Sequence, residues 1–245
     1  ISSPKDLLNY GVSANISLGI NQSKYESNTS GTTSVAGVIN VGQNLVIESE
    51  GNVLLVNQKI NVGENIIVDA KSFEARAGEN TYSNNTNSSS KGGSVGYDIT
   101  GGTVTGGING SKGDSNTSSK TYDNTVINAG GTFVLNTEED ATFAGANVTA
   151  DKIKFDIGGN LNVISLQDEF DTKGSNKGGG IDYGYTPQRN SERKIEGYNS
   201  PSGNISYGET NGSSRWVSDQ TSIIANKGGS IKVEETLTNK GAIIG

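Results

Sequence analysis

Two groups of carboxylates, Glu138-Glu139-Asp140 and Asp168-Glu169-Asp171, are the side chains best suited to acid–base chemistry in this sequence. A pair of carboxyl groups cleaves glycosidic bonds when one keeps its proton and the other stays ionised at a set separation. One reading is therefore a polysaccharide-degrading β-helix enzyme that uses Asp140 or Asp168. A lyase of that kind would also require Ca²⁺ and a basic residue. Both groups fall where strands are expected to end, however, and acidic residues at such places are ordinarily solvated turns. The chain has no His, the commonest general base and metal ligand, and no Cys, so it has no thiolate site and no disulfide framework. Neither an EF-hand loop nor a Gly-Gly-x-Gly-x-Asp calcium repeat occurs. We therefore assign no catalytic residue, no metal ligands and no cofactor, and read the chain as non-enzymatic.

Aromatic residues are the remaining candidates, as partner contacts. Tyr97, Tyr183, Tyr185 and Tyr207 form either an exposed recognition stripe or cross-strand pairs that hold hairpins. Trp216, the single Trp, suits stacking on a sugar or a receptor, or packing an insertion against the repeat core. The net charge of −7 argues against nucleic acid, whose phosphates need Lys and Arg, and against docking onto anionic lipid.

The elements that hold these side chains announce themselves by repetition. Ile39-Asn40-Val41-Gly42-Gln43-Asn44-Leu45-Val46-Ile47 returns as Ile60-Asn61-Val62-Gly63-Glu64-Asn65-Ile66-Ile67-Val68, offset by 21 residues (60 − 39). Ile127-Asn128-Ala129-Gly130 and Val148-Thr149-Ala150-Asp151 keep the same offset. A period in the twenties is one coil of a solenoid. The repeated segments are short and β-branched, and Gly-Asn and Gly-Gly turns punctuate them. No 3.6-residue apolar stripe is sustained, which disfavours helical repeats. The predicted fold is all-β, a right-handed parallel β-helix. One inward row of Ile, Val, Leu and Phe per strand suffices for its narrow core, which reconciles a folded state with only 31% hydrophobic residues. A longer period lies above the short one, because Gly42, Gly130 and Gly228 stand 88 and 98 residues apart.

Residues 1–245 read as one continuous repeat fragment, with β-helical blocks at about 35–77, 125–169 and 221–245 and strand-rich insertions at about 9–34, 78–124 and 170–220. Within the insertions apolar residues alternate with small ones: Tyr10, Val12, Ala14, Ile16, Leu18 and Ile20; Val95, Tyr97 and Ile99; Val104, Gly106 and Ile108; Ile181, Tyr183 and Tyr185. Period two predicts hairpins or small antiparallel sheets with one distinct face. The Ser/Asn tracts at 82–90 and 111–119 read as mobile flanks. Residues 10–20 match the ~9–11 residues of a tilted membrane-crossing strand, but a soluble hairpin on the solenoid accounts for the same pattern. No basic start and apolar run marks a signal peptide, and no apolar run reaches the ~20 residues of a membrane-spanning helix. Both ends read as interior repeat.

The run Asp156-Ile157-Gly158-Gly159-Asn160-Leu161-Asn162-Val163-Ile164-Ser165-Leu166-Gln167-Asp168, its Gly/Tyr-alternating insertion, and Ile223-Ile224-Ala225-Asn226-Lys227-Gly228-Gly229-Ser230-Ile231 resemble the second repeat region of filamentous haemagglutinin-like exoproteins. These are products of two-partner secretion and include contact-dependent growth-inhibition effectors. The resemblance implies a right-handed parallel β-helix, passage through an outer-membrane transporter, a secreted or surface location, and a role in adhesion or toxin delivery. Implied partners are a receptor or glycan on a host or target cell, or the target outer membrane. The charged loop at 189–196 departs from the common pattern.

Overall fold

A computed structural model describes residues 14–245 of the chain. Strand β1 (Asn15–Thr32) precedes a first coil made of β2 (Gly37–Val41) and β3 (Leu45–Val56). Strands β4 (Gln58–Val62) and β5 (Ile66–Arg76) make the second coil. The pair β6 (Gly78–Asp98) and β7 (Val104–Asp123) intervenes before the third, β8 (Thr125–Thr137) with β9 (Ala141–Ala144). Strands β10 (Ala146–Ile157) and β11 (Leu161–Ile164) form the fourth. Another pair follows, β12 (Asp168–Arg189) and β13 (Ile195–Trp216). Strands β14 (Ser222–Ala225), β15 (Gly229–Val233) and β16 (Leu237–Lys240) form a fifth coil, and β17 (Ile243–Ile244) begins the next. No helix occurs among the described residues.

The coils form one compact unit and the inserted strands another. In the first, every coil pairs in parallel with its neighbour, so the architecture is a parallel β-helix. One inward column runs Ile39, Ile60, Ile127, Val148, Ile223 and Ile244, each directly over the last. A second runs Ile47, Val68, Leu135, Phe155 and Ile231. The columns ignore the insertions. Ile60 stacks on Ile127 as if nothing separated them, although β6 and β7 lie between them in sequence.

Bulk is matched across the core. Phe133 meets Phe155 edge-on at 5.2 Å, Phe155 stacks on Phe143 at 5.8 Å, and Phe143 meets Phe73 at 5.4 Å. Ala141 stacks beside Phe73 and Ala75 beside Phe143, which makes room for these rings. Close packing of large against small residues excludes voids.

Turn glycines recur because carbonyls of adjacent coils approach them. A Cβ on Gly63 would lie 2.1 Å from the Gly42 carbonyl oxygen, and one on Gly130 would lie 2.2 Å from that of Gly63. An asparagine ladder stands on the outside of the coils. Asn128 donates to Asn61 and Asn61 to Asn40, each at 3.0 Å, while Asn65 donates to Asn44 at 2.9 Å. Inward positions of these strands belong to Ile and Val, so alternation puts the amides on the solvent side.

All insertions share one corner of the coil. Where coils follow each other directly, that corner is a single left-handed residue: Asn57 (φ 47°), Gly145 (φ 66°) or Gly241 (φ 67°). Elsewhere the chain departs and returns at a buried threonine. Thr125 donates through Oγ1 to the Arg76 carbonyl at 2.7 Å, and Thr221 does the same to Ile164 at 2.7 Å. Each carbonyl also accepts a backbone N–H, from Asn57 at 3.1 Å and from Gly145 at 3.0 Å, so the threonine occupies its second lone pair. The Ser165-Leu166-Gln167-Asp168 motif serves this corner as well. Ser165 donates to the Gly241 carbonyl at 2.7 Å, and buried Asp168 accepts from the Tyr122 amide at 2.9 Å and from the Ser218 hydroxyl.

The second unit is a five-stranded sheet in the order β1-β6-β7-β12-β13. Neighbours run antiparallel, as Thr103 facing Thr186 and Thr117 facing Thr172 demonstrate. All five strands are far longer than the usual 5–6 residues. The tracts expected to be mobile are ordered parts of β6 and β7. Ser90 bonds Ser111 at 2.7 Å, and Thr86 donates to the Ser115 carbonyl at 3.3 Å. Ser, Thr and Asn supply cross-strand hydrogen bonds here, which compensate for absent apolar contacts.

The β6–β7 turn is held by Asp98. Its carboxylate accepts from the Thr100 hydroxyl and from the Thr100 amide at 3.0 Å, and these bonds hold its pKa below the ordinary carboxylate value. A folded-state pKa below the unfolded value gives support that is present above the unfolded pKa and lost as pH falls through the folded one. Protection of the Gly102 amide, whose N–H bonds the Asp98 carbonyl, measured relative to the unfolded chain at the same pH, should therefore hold from neutrality down to about pH 4 and fall below it. Equal protection at lower pH would refute this role for Asp98.

Candidate partner-contact face

Alternation fixes what each face of the five-stranded sheet presents. On one face a lateral row contains Ile16, Tyr97, Val104 and Tyr185, and the next contains Leu18, Val95, Gly106 and Tyr183. A third holds Ile20, Gly93, Ile108 and Ile181, and Ile205 of β13 lies beside Gly179 in a fourth. The opposite face carries Asn21, Gly92, Asn109, Gly180 and Asn204 in the corresponding place. One side is therefore aliphatic and aromatic, and the other is small and polar.

The apolar side is bare. Leu18 is 73% exposed, Ile20 83%, Ile108 67%, Ile181 63% and Ile205 93%. In an antiparallel sheet with one polar face, the other ordinarily packs on a core. Among the described residues no layer covers this one. Exposed apolar patches of this kind mark interaction surfaces.

Tyr97, Tyr183, Tyr185 and Tyr207 all lie on this face, at its margins rather than its centre. Tyr183 bonds Asn199, and Tyr207 bonds Glu209 with the Lys177 ammonium 5.4 Å from its ring centroid. Trp216 is not among them. It sits at the foot of β13, is 42% exposed, and donates through Nε1 to Ser218 at 2.8 Å. The buried anchor considered from the sequence is thus a half-exposed polar tether to the Ser218–Asp168 bond.

Four residues that sequence reasoning missed complete the face. Lys24, Lys112 and Lys177 share one lateral row with Tyr207, and Lys91 stands one row nearer the aliphatic side chains. All four are exposed. The signal was present as parity. Lys24 follows Leu18 and Ile20 by an even step, and Lys91 precedes Val95 by one.

The carboxylates have structural duties. Asp140 accepts from the Asn160 amide at 2.7 Å and its side chain at 3.1 Å, and Glu139 pairs with Lys71 at 3.1 Å. Asp171 pairs with Arg215 at 2.9 Å, and Glu169 lies 3.6 Å from the same guanidinium. That arrangement raises the Arg215 pKa, chiefly through the Asp171 hydrogen bond. Nothing about Asp140 or Asp168 favours hydrolysis of polysaccharides. Among the described residues no cluster of His, Cys, Asp and Glu suits a metal ion.

Comparison with known proteins agrees with the architecture. The hemagglutinin repeat model matches residues 18–179. The "Toxin CdiA" of Escherichia coli is 34% identical over 176 residues, which covers 65% of this chain and 6% of that protein. The "Toxin CdiA" of Yersinia pestis is 29% identical over 242 residues, 95% of this chain and 7% of that protein. The "Deoxyribonuclease CdiA" of Yersinia pseudotuberculosis serotype O:3 (strain YPIII) is 28% identical over 249 residues, 95% of this chain and 22% of that protein. The chain thus spans less than a quarter of the length of these relatives. No solved structure matches it. Stacked coils, grafted hairpins and the match over residues 18–179 agree, and the chain belongs to the hemagglutinin repeat family.

Proposed function

We propose that the chain is a segment of a secreted, surface-displayed bacterial exoprotein that delivers a toxin to a neighbouring cell. The β-helix supplies reach, at ~4.8 Å per coil, and the bare sheet face meets the target-cell envelope. An outer-membrane transporter would pass the chain during secretion. Similarity to proteins named as toxins and nucleases supports the delivery reading. The observation that carries the envelope contact is the exposed aliphatic band of Leu18, Ile20, Ile108, Ile181 and Ile205.

The test uses the full-length exoprotein on an inhibitor cell. Replacing Leu18, Ile108 and Ile181 together by Asn removes apolar area without touching a core, so display at the surface should persist. Killing of target cells should drop more than ~10-fold, since three exposed aliphatic side chains contribute roughly 1 kcal/mol or more each when buried. Undiminished killing at equal display would exclude this face from the delivery step.

A further inference from the structure

The partner of the bare face can be specified from its size and from the charges along it. The aliphatic rows span about 20 Å along the strands and five strands span about 20 Å across. The resulting patch of roughly 400 Å² is about half of what each partner contributes to a standard protein interface. Two copies packed face to face would therefore bury too little, and in a parallel pairing their lysine rows would repel.

The lysines supply the complementary clue. Lys24, Lys91, Lys112 and Lys177 border the aliphatic band along one side of the same face. The nearest carboxylates on that face, Glu26, Asp114 and Glu209, stand one row farther from the band. Lys24 contacts Glu26 at 2.6 Å with both side chains mostly exposed, so that pair opens readily. Aliphatic centre, tyrosine margin and lysine border are arranged as in an element that lies in the plane of a bilayer surface. There the tyrosines sit at headgroup depth and flexible ammonium groups reach phosphates. The net charge of −7, which taken alone argues against anionic lipid, yields here to the local lysines, because screening within ~10 Å makes the nearest charges decide.

We propose that this face docks flat on a lipid leaflet bearing anionic phosphate headgroups, with Lys24, Lys91, Lys112 and Lys177 as its phosphate-reading border. This rests on the envelope-contact reading above and adds the chemistry of the surface contacted. The test is co-flotation of the full chain with vesicles of phosphatidylcholine, with and without phosphatidylglycerol. Binding should require phosphatidylglycerol and weaken as salt rises. Replacing the four lysines by Gln should lower binding on the order of 1,000-fold, from about 1 kcal/mol per lysine at an anionic surface. The lysines are exposed, so thermal unfolding should be unchanged. Leu18→Asn with Ile108→Asn and Ile181→Asn should also abolish flotation. Equal binding to both vesicle types, or full binding by the Gln variant, would overturn the lysine role while leaving an apolar contact. A chain that never floats, while the Asn variant still loses killing in the full-length exoprotein, would overturn lipid docking and leave the envelope reading intact. A dimer dispersed by the Asn variant would also overturn it.

Discussion

Phe155→Ala should cost the β-helix about 3–5 kcal/mol, the usual range for removing a buried ring. Phe155 joins two neighbours, Phe133 in the adjacent column of the coil beside it and Phe143 across the core. Its ring is almost wholly buried, as are theirs. Parallel ladders above and below fix the spacing of the coils, so they cannot close on the void. Urea unfolding followed by circular dichroism should place the midpoint of the variant well below that of the parent. A loss under ~1 kcal/mol would mean that the aromatic stack is not the centre of the core.

Gly63→Ala should cost about 3 kcal/mol, at the upper end of ordinary overpacking. The new methyl group would meet the Gly42 carbonyl oxygen at 2.1 Å, and that atom belongs to backbone that cannot rotate away. Relief requires opening the coil spacing beside the Gly63 amide, which donates to the Val41 carbonyl at 2.8 Å. Gly42→Ala is the matched control. It changes the same motif, but no heavy atom lies within 4 Å of the added group. Comparable losses in the two variants would show that turn conformation, not coil contact, selects glycine here.

The contrast between these glycines shows what the sequence could and could not convey. The 21-residue return was legible because the first two coils follow each other without interruption, and identical residues in the turns mark them. Parallel pairing and inward columns follow from that period. The continuation from Ile60 to Ile127 was partly legible, through the shared Ile-Asn motif, but contact across the insertion is a tertiary fact.

The insertions were legible as alternating strands but not as one sheet. Each strand showed its own parity, whereas the partner of β1 is β6, from a different insertion. For the same reason parity could place each lysine on the apolar side of its own strand but could not show that the four lie together, since they come from β1, β6, β7 and β12. The Ser/Asn tracts were misjudged because composition gives no hint of a partner strand at the right register. With such a partner, hydroxyls and amides form ladders; without one, the same residues favour disorder. Asp168 suggested catalysis in one reading, but its burial against the Tyr122 amide and Ser218 makes it part of the corner from which the strands leave.

The corner alternates between a single left-handed residue and a pair of inserted strands. Duplicating one such unit in the gene would therefore lengthen the solenoid by two turns and widen the sheet by two strands at once. No existing neighbour relationship would be broken, and every new strand would arrive with its hydrogen-bonding mate. Copy number then becomes a neutral variable on which selection for stalk length can act, with contact area growing in step.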